Sequence, residues 1–272
     1  MGLFIAVVIA AMLIARMGRQ AFNGRFPPSS PPPPPLVDEN ALDSSADQTT
    51  VSGSDTTMIK TFALVPDSKF SIKNISGSIA IEAWDQPKAE VTVIKRGSDN
   101  AGRVYFKNLA NSLSFRTVVT GGNNQKDFRY QVKLPKSMGS IDLESANGTV
   151  KLTNLNGQIF VETANGSIEL NDVVGVSKIQ STNGKITGTL GQASNGPMEF
   201  SVVNGRIDLT VKSDFNADLE ASAVTGSIRL DDQFGIQVEK QFVGSHASGK
   251  IGSGGQPLKV TSVNGPIRIA RE

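Results

Sequence analysis

The chain has 272 residues, 38% of them hydrophobic and 19% charged, with 27 glycines, one histidine and no cysteine. No disulfide framework, thiolate metal site or cysteine nucleophile is open to it, and a lone histidine argues against imidazole metal centres. The formal charge of +2 comes from 27 basic and 25 acidic residues, and Arg16, Arg19 and Arg25 precede Pro27, so the remainder is nearly neutral and lacks the footprint of a nucleic-acid binder.

Met1 to Ala15 contains no charged side chain, and the three arginines follow it. A helix of that length spans about 22 Å, against roughly 30 Å of hydrocarbon, and continues through Met17 if Arg16 snorkels. A cleaved signal peptide needs a basic n-region, which is missing. Residues 1–26 are therefore predicted to be a membrane helix with a basic flank, making the membrane one partner. Residues 27–57 read as a linker. Pro31 to Pro35 forms a stiff polyproline spacer, and Val37 to Thr57 is acidic and Ser/Thr-rich, a composition expected not to fold. A membrane stub, a stiff spacer and a tether suggest a domain held away from a surface. The body is expected outside the cytoplasm, in the periplasm or at the cell surface, with a cytoplasm-facing body as the alternative. The arginines on the C-terminal side of the stub favour that alternative.

Residues 58–272 are predicted to be all-β. Runs such as Ser71 to Ile81, Val91 to Ile94, Arg103 to Phe106, Leu113 to Val119 and Phe128 to Leu134 alternate with period two, and Gly, Asn or Pro separate them. From Gly139 onward one unit recurs: Ser145-Ala-Asn-Gly-Thr-Val-Lys-Leu152, Thr163-Ala-Asn-Gly-Ser-Ile-Glu-Leu170 and later copies. Its turns are Asn147-Gly148, Asn165-Gly166, Asn183-Gly184, Asn204-Gly205, Thr225-Gly226 and Asn264-Gly265, and Ala247 to Ile251, with Gly249, reads as a degenerate copy. Asn-Gly supplies the positive φ of a tight corner, and alternate flanking residues are apolar. A hairpin sandwich or propeller would use the same dipeptide, but only a solenoid requires one corner to recur at a fixed period. The expected fold is a single-stranded β-solenoid, β-helix-like, each corner marking the next rung.

The unit around Ala83-Trp84-Asp85-Gln86-Pro87, followed by Glu90-Val-Thr-Val93, resembles the entry motif of a bacterial domain-of-unknown-function family labelled "putative adhesin". The Ser/Thr-x-Asn-Gly-x-Ile-x-Leu rungs resemble its body, a layout shared with head-GIN-type auto-transporter adhesin domains. The resemblance covers roughly residues 61–269. It singles out Trp84, Asp85 and Pro87, implies a β-solenoid behind a membrane helix at the cell envelope, and brings no catalytic residues with it. Trp84 is expected to cap or fill the first rung.

Chemistry-bearing groups are sparse. Asp142 with Glu144, and Asp218 with Glu220, each face one side of a strand at a spacing compatible with a glycosidase pair. Interleaved Lys and Arg make a solvated charge ladder the simpler reading. His246, in a small-residue turn, has no triad around it in the sequence. The expectation is a non-enzymatic, membrane-tethered adhesin or scaffold with no cofactor, no metal and an unspecified protein or glycan partner. The alternatives are a carbohydrate-binding or polysaccharide-active solenoid using the outward carboxylates, and a regulatory partner of an envelope-stress system.

Overall fold

Strict alternation gives each strand one dry and one wet face, and a strand so built must share its dry face with others. In the computed structural model, which describes residues 40–42, 45–97, 102–119, 127–191, 196–240 and 244–272, every repeat meets this need by stacking. The predicted membrane helix and residues 27–39 of the predicted linker lie outside the described residues. Among those residues no helix is long and apolar enough to cross a membrane.

The strands are β1 (Asn40–Ala41), β2 (Gln48–Ser52), β3 (Asp55–Ala63), β4 (Lys69–Ser76), β5 (Ile79–Trp84), β6 (Lys88–Lys95), β7 (Gly102–Leu109), β8 (Ser112–Val119), β9 (Phe128–Pro135) and β10 (Ser137–Asn147). They continue with β11 (Val150–Thr153), β12 (Asn156–Asn165), β13 (Ile168–Leu190), β14 (Met198–Val211), β15 (Ala217–Thr225), β16 (Ile228–Leu230), β17 (Val238–Lys240), β18 (Ser245–Ile251), β19 (Pro257–Asn264) and β20 (Ile267–Arg271). β13 runs through two corners and β14 through one without a break, so each serves both ladders.

On the first ladder the parallel neighbours run β8, β4, β10, β12, the middle of β13, the start of β14, β19, β15. On the second, β9, β5, β11 and the start of β13 are parallel neighbours, and the end of β13, the end of β14, β20 and β16 continue the same arrangement. One strand from each ladder makes a floor, and Ile, Leu, Val and Phe from both ladders form one buried cluster. The described residues hold eight such floors, which extend over about 34 Å at the usual strand spacing.

The predicted stack is present, but its floors do not follow chain order. The corner at Asn264-Gly265 sits between those at Asn204-Gly205 and Thr225-Gly226, because β19 and β20 insert between β14 and the pair β15 and β16. The other end is permuted likewise: β8 and β9 form the outermost floor and β4 and β5 the next. The expected degenerate rung at Ala247 to Ile251 is corrected. β18 runs antiparallel to β15, with Gly249 opposite Leu219 in mid-strand. A strand reversed in direction cannot offer a parallel register to a further floor, so it closes the stack.

Antiparallel strands also close the opposite end. β7 pairs with β8, β6 with β9, β3 with β6 and β2 with β3. Beneath them Phe62, Phe70, Phe106, Phe115 and Tyr130 pack ring against ring, with centroids 5.1–6.3 Å apart. The Tyr130 hydroxyl, fully buried, lies 2.7 Å from that of Thr117, and burial raises its pKa above the ordinary tyrosine value. At the far end Phe215 and Phe234 fill the same role.

Within the stretch expected to remain unfolded up to Thr57, β1 instead pairs with β7, and the residues from Gln48 enter the β2–β3 hairpin. Composition alone misjudged it, because β3 supplies the partner: Met58 and Phe62 anchor β3 in the core, and β2 hydrogen-bonds to that anchored strand. Leu42 is also fully buried. Asp47 is held by the Thr61 backbone N–H at 2.8 Å, and this hydrogen bond, more than the nearby Lys60, lowers its pKa.

Candidate functional site

The corners that the repeat singled out come together as one column on one edge of the stack. Asn165 donates from Nδ2 to Asn147 Oδ1 (3.1 Å), Asn183 to Asn165 (2.8 Å), Asn204 to Asn183 (2.8 Å) and Asn264 to Asn204 (2.8 Å). Thr225 Oγ1 donates to Asn264 Oδ1, with the Val263 carbonyl as its other acceptor. At the other end Asn147 Nδ2 reaches the Ile75 carbonyl (3.3 Å), because Ser76 occupies the equivalent corner. Each amide thus donates toward the same end of the stack.

The glycine beside each asparagine is needed for a different reason from the one the sequence suggests. Gly148, Gly205 and Gly265 have φ of +135°, +156° and +143°, whereas Gly166, Gly184 and Gly226 do not lie in the positive region. What all six share is contact. A Cβ on Gly166 would fall 1.9 Å from the Gly148 carbonyl oxygen, one on Gly184 2.0 Å from that of Gly166, and one on Gly265 1.7 Å from that of Gly205. The first residue of the motif is buried immediately behind the corner, as Ser145, Thr163, Ser181 and Ser262, at a position that Asn74, Val202 and Ala223 fill on other floors. Ser181 Oγ donates to the Gly166 carbonyl at 3.1 Å.

Sequence reasoning missed the opposite corner. Gly139, Gly157 and Gly175 recur 18 residues apart, and a Cβ on each would lie 2.2–2.3 Å from a carbonyl of the neighbouring floor. Asn154 and Asp172, three residues before Gly157 and Gly175, are in left-handed conformation, at φ +58° and +51°. The signal was present, since Asn154-Leu-Asn-Gly157 and Asp172-Val-Val-Gly175 share one spacing.

Outside the corners the outer faces are charged. On the first ladder Lys178, Glu199, Lys259 and Glu220 stand in one register row, alternating in sign. Glu220 therefore lies opposite Lys259, and Asp218 opposite Lys250 of β18. Glu144 pairs with Lys73 at 2.8 Å. Asp142 has its pKa raised by desolvation and then by the Glu144 charge, with Lys73 opposing. A surface groove of about 290 Å³ lies beside it, between Lys73, Arg116, Glu144 and Glu162. No group of three metal-ligating side chains is found among the described residues.

A family model, described as Toastrack DUF4097, matches residues 48–270. The chain belongs to the Toastrack family. Solved structures of similar outline are a putative cell adhesion protein from Clostridium sporogenes (12% identity, TM-score 0.46, covering 80% of this chain and 100% of that one) and a putative adhesin from Bacteroides fragilis (14%, 0.38, 79% and 97%). A third is a putative adhesin from Parabacteroides distasonis (10%, 0.29, 79% and 97%). No curated protein sequence matches the chain.

In this Toastrack domain the tryptophan motif is not a core plug. Ile79 and Ile81 point into the stack, which turns Trp84 outward and leaves it half-buried. Its Nε1 donates to the Lys88 carbonyl at 2.8 Å, and the Lys88 and Lys133 ammonium groups lie 5.4 and 5.5 Å from its ring. Asp85 and Pro87 form the exposed bend between β5 and β6. The motif thus pins the crossing from the stack to its antiparallel cover.

Two outcomes follow from this geometry. Gly184→Ala, at a backbone angle alanine tolerates, is expected to cost roughly 2–3 kcal/mol in urea unfolding through overpacking alone. Gly235→Ala, at φ +63° with nothing within 4 Å, should cost only about 1 kcal/mol. Equal costs would contradict the contact argument. Asp142 binds its proton more tightly folded than unfolded, so its contribution is complete below the ordinary carboxylate pKa and is lost as pH rises through the raised one. Asp142→Asn should therefore raise Tm at pH 7, and the gain should vanish in acid.

Proposed function

We propose that the Toastrack domain is a non-enzymatic adhesion or scaffold module of the cell envelope. In this reading residues 1–26 anchor it, the proline-rich segment holds it away from the membrane, and the body lies outside the cytoplasm. Contacts are made by the ends and flat faces of a rigid stack.

The observation that carries this reading is the edge strand β2. It pairs on one side only among the described residues, all five of its residues are exposed, Val51 to 68%, and none is charged. Edge strands are ordinarily blunted by lysine, proline or a bulge, and one without these devices is suited to pairing with another chain. Anchored through β3 to the aromatic cluster, this edge needs little further ordering before it binds.

The test has two parts in the full-length protein. A C-terminal alkaline phosphatase fusion should be active, as an exported enzyme is, and cells carrying the chain should adhere to immobilised envelope material. Val51→Lys with unchanged circular dichroism should reduce that adhesion about tenfold, the loss of one strand-pairing contact. An inactive fusion would overturn the topology. Undiminished adhesion by the variant would overturn the role of β2.

A further inference from the structure

Along most of the outer surface charges alternate from floor to floor. Glu90, Lys133 and Glu82 do so on the second ladder, as do Lys151 and Glu169, and Lys178, Glu199, Lys259 and Glu220 do so on the first. Like charges directly opposite one another are unfavourable, and this pattern avoids them. Like charges do face one another at Lys73 and Arg116, at Glu144 and Glu162 and at Lys185 and Arg206. There, however, Lys73 pairs with Glu144, and Lys185 and Arg206 pair with Asp208. Arg268 of β20 stands in register with Arg229 of β16, both exposed. Neither forms an ion pair among the described residues.

The one carboxylate in that row is already committed. Asp208 is opposite Arg268, but its Oδ2 lies 3.2 Å from Arg206 Nε and 3.4 Å from Lys185 Nζ. Lys185 and Arg206 are themselves opposite each other, beside the corner column. Four cations on four consecutive floors therefore share one acid, over about 14 Å of stack. Lys185 and Arg206 divide Asp208 between them, and Arg268 and Arg229 face each other with no ion pair of their own among the described residues.

We propose that this cluster, Lys185 and Arg206 in one register row and Arg268 and Arg229 in the row two residues further along the strands, binds a soluble, extended anion bearing several phosphate groups. A phosphate with close to two negative charges matches a pair of neighbouring guanidinium forks, whereas one carboxylate matches only one. The groups step one floor at a time along a flat face, with a shift of two residues between Arg206 and Arg268, which suits an extended ligand crossing the floors obliquely. A membrane surface fits less well: the large exposed apolar residues, Val51, Val65, Ile75, Leu109 and Phe160, all lie elsewhere.

Calorimetric titration of the full chain with tripolyphosphate and with inorganic phosphate tests this, alongside flotation with phosphatidylcholine vesicles doped with phosphatidate. Tripolyphosphate should bind more tightly than inorganic phosphate and weaken as salt rises. Arg229→Gln with Arg268→Gln should lose about tenfold or more in affinity, the scale of one or two charge-assisted hydrogen bonds. Lys178→Gln with Lys259→Gln makes the same change in net charge on the other ladder and should bind within about twofold of the parent. Equal losses in both pairs, no loss in the arginine pair, no measurable binding of tripolyphosphate, or binding to the vesicles alone would each overturn the proposal. Binding is independent of the adhesion role, so an inactive β2 edge leaves this result unaffected.

Discussion

The floors of this molecule are held at their spacing by a contact that tolerates no side chain. At each Asn-Gly corner the glycine Cα faces the carbonyl oxygen of the glycine on the adjacent floor, and any Cβ there would overlap it. Backbone packed this closely fixes the register of everything attached to it. The asparagines before the glycines fall within hydrogen-bonding distance of one another, and the apolar residues after them form a continuous column from Ile79 and Val150 to Ile168, and from Ile186 through Ile207 and Ile267 to Ile228. An exposed amide ladder contributes modestly at each step. Its value lies in direction and register, because a one-residue slip would break every amide bond and turn the core face outward.

A stack needs ends, and the corner chemistry shows where they are. The corners that are not Asn-Gly, Ser76-Gly77 and Thr225-Gly226, stand at the two limits of the asparagine column. Thr225 donates a single hydroxyl proton into it, and Ser76 stands beside Asn147 where the column gives way to a backbone carbonyl. Terminal copies of a repeat are commonly atypical because they have a neighbour on one side only. Beyond Thr225-Gly226 at one end, and one parallel floor beyond Ser76-Gly77 at the other, the strands reverse direction. Phe234, with the Arg271 guanidinium 5.8 Å from its ring, lies at the first end, and aromatic rings pack below the cover at the second. Inserting β19 and β20 one floor inward puts a regular Asn-Gly corner inside the column and leaves the threonine corner at its limit.

Much of this was legible from the residues. The period, the alternation and the corner dipeptide all identify a solenoid, and the strands from Val91 to Leu134 fall where their period-two runs place them. What was not legible has specific physical causes. Sequence spacing reports which residues form corners but not which corners touch, so the swap of Asn264 and Thr225 is invisible to it. Positive φ seemed a sufficient reason for glycine, whereas at Gly166, Gly184 and Gly226 the reason is a neighbour that sequence does not display. Ala247 to Ile251 imitates a rung because a cover strand needs the same alternation. Trp84 looks like core by size, yet its parity with Ile79 and Ile81 sends it outward. Gln48 to Ser52 looks unstructured because its stability comes from β3.

The outer charges are a separate layer of the same design. Where signs alternate, neighbouring floors attract weakly and the surface stays solvated. The Trp84 crossing draws on that layer through Lys88 and Lys133, and Glu144 of β10 uses Lys73 of β4, its neighbour on the adjacent floor though 71 residues away in sequence. None of these pairs is buried, so the order of the floors is set by the corners and the core.

That order is open to a direct measurement, because the chain has no cysteine of its own. Thr210 and Ala270 are register partners on adjacent floors, whereas Asp231 lies one floor further away. Neighbouring floors bring Cα atoms within reach of a disulfide, and a gap of two floors does not. Thr210→Cys with Ala270→Cys should cross-link on mild oxidation, and Thr210→Cys with Asp231→Cys should not. The reverse outcome would mean that the floors stack in chain order and would contradict the structure.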